Sequence, residues 1–101
     1  MRQITKDATN ALWNDSYLNR DNTRVVNKSM WLHGNNIAYV RDNKLFISSC
    51  GWETNTTKER LNGVLSKLNM YIKQTKGVWR VYDARGDSVP LEDGMTINFN
   101  E

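Results

Sequence analysis

The 101-residue chain contains one cysteine, one histidine and one proline. Cys50 cannot close an internal disulfide, which excludes a disulfide-stapled fold and fits a reducing cytosol. Cys50 and His33 together fall short of the three or four ligands a metal needs, and no C-x-x-C or H-x-x-x-H spacing supplies the rest. As a thiol–imidazole pair they lack the positioned base and stabilised oxyanion that a nucleophile requires. His33 therefore reads as a packed, hydrogen-bonded histidine. Gly51 and Gly63 flank no lysine–serine pair, so there is no glycine-rich phosphate loop. No apolar run approaches the roughly 18 residues of a membrane-spanning helix. Residues 1–13 carry charge but no apolar core of a secretory signal. These absences lead us to expect a non-enzymatic protein with no cofactor, no metal and no membrane association.

What is present suits one folded domain. The apolar fraction is 39%, with four Trp, four Tyr and two Phe, enough for a single modest core. Charge is uneven. Residues 1–82 hold thirteen Lys/Arg against six Asp/Glu, a net +7, whereas residues 83–101 hold five acids and only Arg85, a net −4. A basic body suits a polyanionic partner; an unevenly charged soluble surface is the ordinary alternative.

The periodicity predicts an α+β fold in the order α-βββ-α-ββ(β): a three-strand antiparallel meander and a C-terminal hairpin, with two helices. Thr5 is the expected cap of a first helix whose apolar face is Ile4, Ala8, Ala11 and Leu12. Tyr17–Thr23 reads as a polar loop, and "TRVV" as a lead-in strand. "SMWLHG", "IAYVR" and "KLFISSC" follow, with two-residue turns expected at Asn35-Asn36 and Asp42-Asn43. Those turns put Trp31, His33, Ala38, Val40, Leu45 and Ile47 on the core face. Met30, Leu32, Tyr39, Arg41, Lys44 and Phe46 then occupy the other. Thr56 and Glu59 form a T-x-x-E capping box, opening a helix with Leu61, Val64, Leu65 and Leu68 on one stripe. "MYIKQ" and "VWRVYD" flank a Thr75-Lys76-Gly77 loop. Residues 1–82 read as the domain, and 83–101 as a turn-rich acidic extension with an edge strand at 95–99. Arg85-Gly86-Asp87 is best read as a tight turn.

Two surfaces could bind. Tyr39 and Phe46 lie side by side, rimmed by Arg41 and Lys44; bases stack on such rings while cations hold phosphates. On the second helix, Arg60, Gly63 and Lys67 share one edge, and Lys58 stands near the N-terminus. Gly63 signals either close packing or a ligand near the backbone, and the helix N-terminus could seat an anion. Trp52 is expected to anchor the chain crossing into that helix.

The stretches Leu32-His33-Gly34-Asn35, Lys44-Leu45-Phe46-Ile47-Ser48 and Gly51-Trp52-x-Thr54-x-Thr56-Thr57-x-x-Arg60-Leu61-Asn62 resemble a family of small, uncharacterised tailed-bacteriophage proteins. So do the "ITK" helix and the later "GVW" strand. The resemblance covers about residues 3–82 and implies a phage accessory protein of the host bacterial cytoplasm, without supplying an activity. The expected function is nucleic-acid binding, to DNA or RNA, with phosphates met by Arg41, Lys44, Lys58, Arg60 and Lys67 and bases by Tyr39 and Phe46. The alternative is a protein that binds and modulates a host enzyme or defence system.

Overall fold

Tight turns organise the first half of the chain. In the computed structural model, which describes residues 1–99, helix α1 (Gln3–Trp13) is followed by five strands in a continuous antiparallel meander. These are β1 (Leu18–Arg20), β2 (Thr23–Val26), β3 (Ser29–Leu32), β4 (Asn35–Arg41) and β5 (Lys44–Ile47). Three of the connections, Asn27-Lys28, His33-Gly34 and Asp42-Asn43, place both residues at positive φ. That geometry matches the right-handed twist of the flanking strands. Helix α2 (Asn55–Ser66) comes next, then β6 (Tyr71–Thr75), β7 (Val78–Tyr82) and β8 (Ser88–Pro90), which form a second antiparallel sheet. Finally β9 (Met95–Asn98) returns to pair with β5, completing a six-stranded sheet. The α+β class stands, with a larger sheet than expected.

Several local expectations are corrected. Tyr17–Thr23 is not all loop: β1 forms there, pairing Leu18 with Val25. Its three residues are too few and too polar to show an alternation, and partnership with β2 alone makes it a strand. Helix α1 begins at Gln3 rather than being capped by Thr5, which is fully buried. Thr54, not Thr56, caps α2, its hydroxyl accepting from Thr57 N at 3.2 Å. Glu59 is engaged elsewhere. The last hairpin turns on two residues, Lys76-Gly77, with Thr75 paired to Val78.

The decisive correction concerns the faces of the meander. The β4–β5 register is as expected, with Val40 opposite Leu45 and Ala38 opposite Ile47. The β3–β4 turn, however, uses His33-Gly34, where Gly34 meets φ +81 without a Cβ penalty. Moving the turn by two residues would by itself leave the faces unchanged. A β-bulge exchanges them: Trp31 pairs with Asn36 but Met30 pairs with Ala38, so Ile37 is the extra residue. Met30 and Leu32 therefore point into the core, and both Ile37 and Ala38 are buried beside them. Trp31 goes to the other side, and His33 sits exposed in the turn instead of packing.

Both helices cover the inner face of the six-stranded sheet. Ala8, Ala11 and Leu12 from α1 and Leu61, Val64 and Leu65 from α2 meet Val25, Met30, Leu32, Ile37, Leu45 and Ile47 in one core. Ile72, Trp79 and Val81 extend it from the second sheet. Residues 83–98 are built into this body. Asp93 Oδ1 accepts from the backbone and hydroxyl of Ser49 at 2.8 and 2.9 Å, and Phe99 meets Trp13 edge-on. Asn100 and Glu101 lie outside the described residues.

Gly63 is explained by the helix crossing. A Cβ there would lie 2.5 Å from Thr5 Cγ2 and 2.6 Å from Thr9 Oγ1, closer than atoms can pack. Close approach of α1, not a ligand, accounts for this mid-helix glycine. Gly63→Ala gains up to about 1 kcal/mol of helix propensity but must push α1 away, an overpacking cost of about 1–3 kcal/mol. We expect net destabilisation, read as a lower urea midpoint with unchanged m-value; a raised midpoint would refute the close crossing.

Candidate nucleic-acid interface

The sheet presents a different chemistry on each side. Period-2 alternation sends Thr23, Val25, Met30, Leu32, Leu45 and Ile47 inward, and it sends their neighbours outward. The outward set includes Arg24, Trp31, Tyr39, Arg41, Lys44 and Phe46. With both helices on the inner side, no helix covers this face: Arg24, Arg41 and Lys44 are exposed, and Trp31, Tyr39 and Phe46 are half-buried. Tyr39 and Phe46 are directly opposite and stack, with ring centroids 4.2 Å apart and planes within 10°. Arg41 and Lys44 form the next cross-strand pair, both exposed. Like charges opposed on a sheet repel, so a cation pair held there favours an anion above it. On the other flank the Arg24 guanidinium lies over the Trp31 ring, 5.9 Å from its centroid. The Trp31 indole N–H is buried and has no hydrogen-bond partner among the described residues. No carboxylate among the described residues pairs with Arg24, Arg41 or Lys44.

The structure thus brings together four of the seven residues expected from sequence, Tyr39, Phe46, Arg41 and Lys44. It separates the other three. Lys58 and Arg60 belong to α2 and Lys67 caps its C-terminal end, across the core from this face. Lys67 is exposed at the end of α2, and Lys58 Nζ lies 5.4 Å from the Trp79 ring. Arg24 and Trp31 were missed. The alternation in "TRVV" already implied that Arg24 faces away from Thr23 and Val25; Trp31 was hidden by the bulge.

Arg60 is corrected outright, because it is 1% exposed and unavailable to an external phosphate. Its Nη1 donates to Thr5 Oγ1 at 2.7 Å and to Glu59 Oε1 at 2.9 Å. Its Nε donates to Thr23 Oγ1 at 3.1 Å, and Nη2 reaches Asn22 Oδ1 at 3.4 Å. The Thr5 hydroxyl in turn donates to Glu59 at 2.6 Å, and Arg2 joins the same carboxylate at 2.8 Å. This network holds the Glu59 carboxyl below its ordinary 4.5, chiefly through the Thr5 hydroxyl and against the opposing effect of burial. Burial, followed by the nearby Arg2 charge, pulls the Arg60 guanidinium down, and Glu59 partly restores it.

A second feature lies at the start of α2. Trp52, expected to anchor the crossing, is instead 61% exposed. It borders a cavity of about 430 Å³ between the His33-Gly34 turn and the helix N-terminus, lined also by Leu32, Ile37, Asn35 and Thr56. Cys50 and Gly51 turn the chain there at φ 54° and 81°. No three His, Cys, Asp or Glu side chains gather as a metal would require among the described residues. Among the described residues no helix is long and apolar enough to cross a membrane.

Fold and face define a class: a small α+β domain with helices on one side of an antiparallel sheet and an open aromatic–cationic face on the other. The chain belongs to the Kyanoviridae Gp96 protein family of bacteriophages, whose family model matches residues 1–98. The match runs through β8 and β9, past the Val78–Tyr82 strand where the sequence resemblance stopped. No curated protein and no solved structure matches the chain.

The Arg60 network generates a pH signature. A carboxyl whose pKa is depressed by folding stabilises fully above its unfolded value, and the contribution is lost as pH falls through the folded value. Stability should therefore drop below about pH 4.5, and Glu59→Gln should flatten that drop in urea titrations between roughly pH 6 and 3. Parallel pH profiles for the two proteins would count against the network. Arg60→Lys should cost about 1.5–3 kcal/mol at neutral pH, because one ammonium cannot replace the guanidinium fork that joins Thr5, Thr23 and Glu59.

Proposed function

We propose that this phage protein binds nucleic acid in the infected bacterial cytoplasm, as an accessory factor without catalytic activity. The observation that carries this reading is the open sheet face. Three cations, Arg24, Arg41 and Lys44, none paired with a carboxylate among the described residues, flank the stacked rings of Tyr39 and Phe46. Among the described residues no strand position on that face carries an acid; Asp21 and Asp42 stand in the turns at its rim. Exposed cations around half-buried rings suit a polyanion whose bases offer flat faces. The net charge of +3 is modest, so affinity would come from this local arrangement rather than from the whole-molecule field. Lys58 and Lys67 lie off this face and are not needed for it.

A second reading has its own observation. The exposed Trp52 beside an apolar-walled cavity is the kind of anchor that protein partners use. It favours a host protein as the partner, bound through a surface distinct from the sheet face.

Binding of labelled oligonucleotides followed by fluorescence anisotropy tests the first reading. Affinity should fall steeply with salt, with a log–log slope of about −2 to −3 for three phosphate contacts. Arg41→Glu with Lys44→Glu should remove measurable binding while leaving the thermal transition in place. Trp52→Ser should leave it unchanged. Absence of any binding at low salt would rule the reading out. A stoichiometric host protein retained from nuclease-treated lysate by the wild type, and lost with Trp52→Ser, would establish the second.

A further inference from the structure

The open face has an internal order that narrows its ligand. The Tyr39–Phe46 stack runs across the strands, because the two residues are register partners on β4 and β5. Phe46 covers one face of Tyr39, so the other face turns toward β3, where the residue opposite is Ser29. On the far side, Phe46 is opposite Thr96 of β9. Both outer faces of the stack thus border short side chains, at strand spacings of about 4.8 Å. A further flat ring can lie over either position and extend the stack.

The two ends of the stack along the strands also differ. At one end, Arg41 and Lys44 stand two residues from Tyr39 and Phe46, a separation of about 6.8 Å. At the other, the rings edge a small cavity of about 150 Å³ shared with Asn36, Ser48 and Gly94. The Ser48 hydroxyl is engaged with Cys50, accepting from its backbone N–H at 3.0 Å and donating to its Sγ at 3.6 Å, and one Asn36 amide N–H donates to the Met30 carbonyl at 3.5 Å. The Asn36 amide keeps its oxygen and a second N–H, an acceptor and a donor, for a ligand. Cations at one end, ring faces in the middle and hydrogen-bonding groups at the other match a nucleotide's phosphate, base plane and base edge.

We propose that this face takes single-stranded nucleic acid, with unpaired bases extending the Tyr39–Phe46 stack and phosphates on Arg41 and Lys44. The inference rests on the nucleic-acid reading above and narrows it. A duplex keeps its base faces internal and is read by a helix or ribbon entering a groove. Here both helices lie on the opposite side of the sheet, and the ring faces would meet only the outside of the double helix. DNA and RNA single strands share the required chemistry, and the experiment separates them.

The wild-type protein is titrated with labelled single-stranded DNA and RNA of about 12 nucleotides, a length within the usual single-strand site size, and with a duplex of the same length. One or both single strands should bind at least about tenfold tighter than the duplex, and stronger RNA binding would point to contacts with the 2′-hydroxyl. Tyr39→Leu and Phe46→Leu, which keep an apolar side chain but remove the ring face, should each weaken single-strand binding about 5- to 100-fold. Their salt slopes should match the wild type, since no cation is lost. Arg41→Gln with Lys44→Gln should flatten the slope instead. Equal affinity for duplex and single strand, or unchanged single-strand binding in folded leucine variants, would overturn this proposal and leave nucleic-acid binding standing. Binding to none of the three would remove both. The duplex comparison needs no variant, so it decides the matter even where a leucine variant fails to fold.

Discussion

The buried guanidinium of Arg60 is the constraint on which this structure turns. Removing a charge of that size from water costs several kcal/mol unless hydrogen bonds offset it. The partners come from three different places. Thr5 lies on α1, Thr23 begins β2, and Asn22 sits in the turn before it. Satisfying one side chain of α2 therefore fixes both helices against the same end of the sheet. Glu59 supplies the counter-charge and draws Arg2 and the Thr5 hydroxyl into the same cluster. The close crossing at Gly63 follows, since Thr5 must sit near enough to α2 to reach Arg60.

From that anchoring the sheet acquires its two characters. The helices occupy one side, and the bulge at Ile37 decides which residues of β3 face them. Two consecutive inward residues, Ile37 and Ala38, fill the core under α1 and α2. The outward side keeps Arg24, Trp31, Tyr39, Arg41, Lys44 and Phe46 together. A structural arginine and the exposed cations thus divide the basic residues of this chain into two kinds. The buried one organises the fold, and the sheet-face ones have no carboxylate partner among the described residues.

Much of this was legible in the chain. The apolar stripe of α2, the Asp42-Asn43 turn and the stacked Tyr39–Phe46 neighbours all follow from local rules of period and turn chemistry. What was not legible had long-range causes. The polar stretch Leu18–Arg20 is a strand only because β2 lies beside it. His33 and Trp31 were misplaced because a single extra residue in β4 exchanges the faces of β3. Arg60 looked like a surface cation, since an arginine at the edge of an apolar stripe is ordinarily solvated. Its burial depends on Thr5 and Thr23, which lie 55 and 37 residues away in the chain. Trp52 shows the converse, a large aromatic expected inside that the fold leaves exposed.

The sequence by itself determined the class of fold and the central pair of rings, because both rest on interactions between near neighbours: alternation, helical period and a two-residue turn. It also determined the family, through residues 1–98. Only the tertiary structure decided which basic residues are free. Availability of a charge depends on what packs around it, and in this protein that is set by a helix crossing and a bulge, neither of which leaves a local mark on the chain.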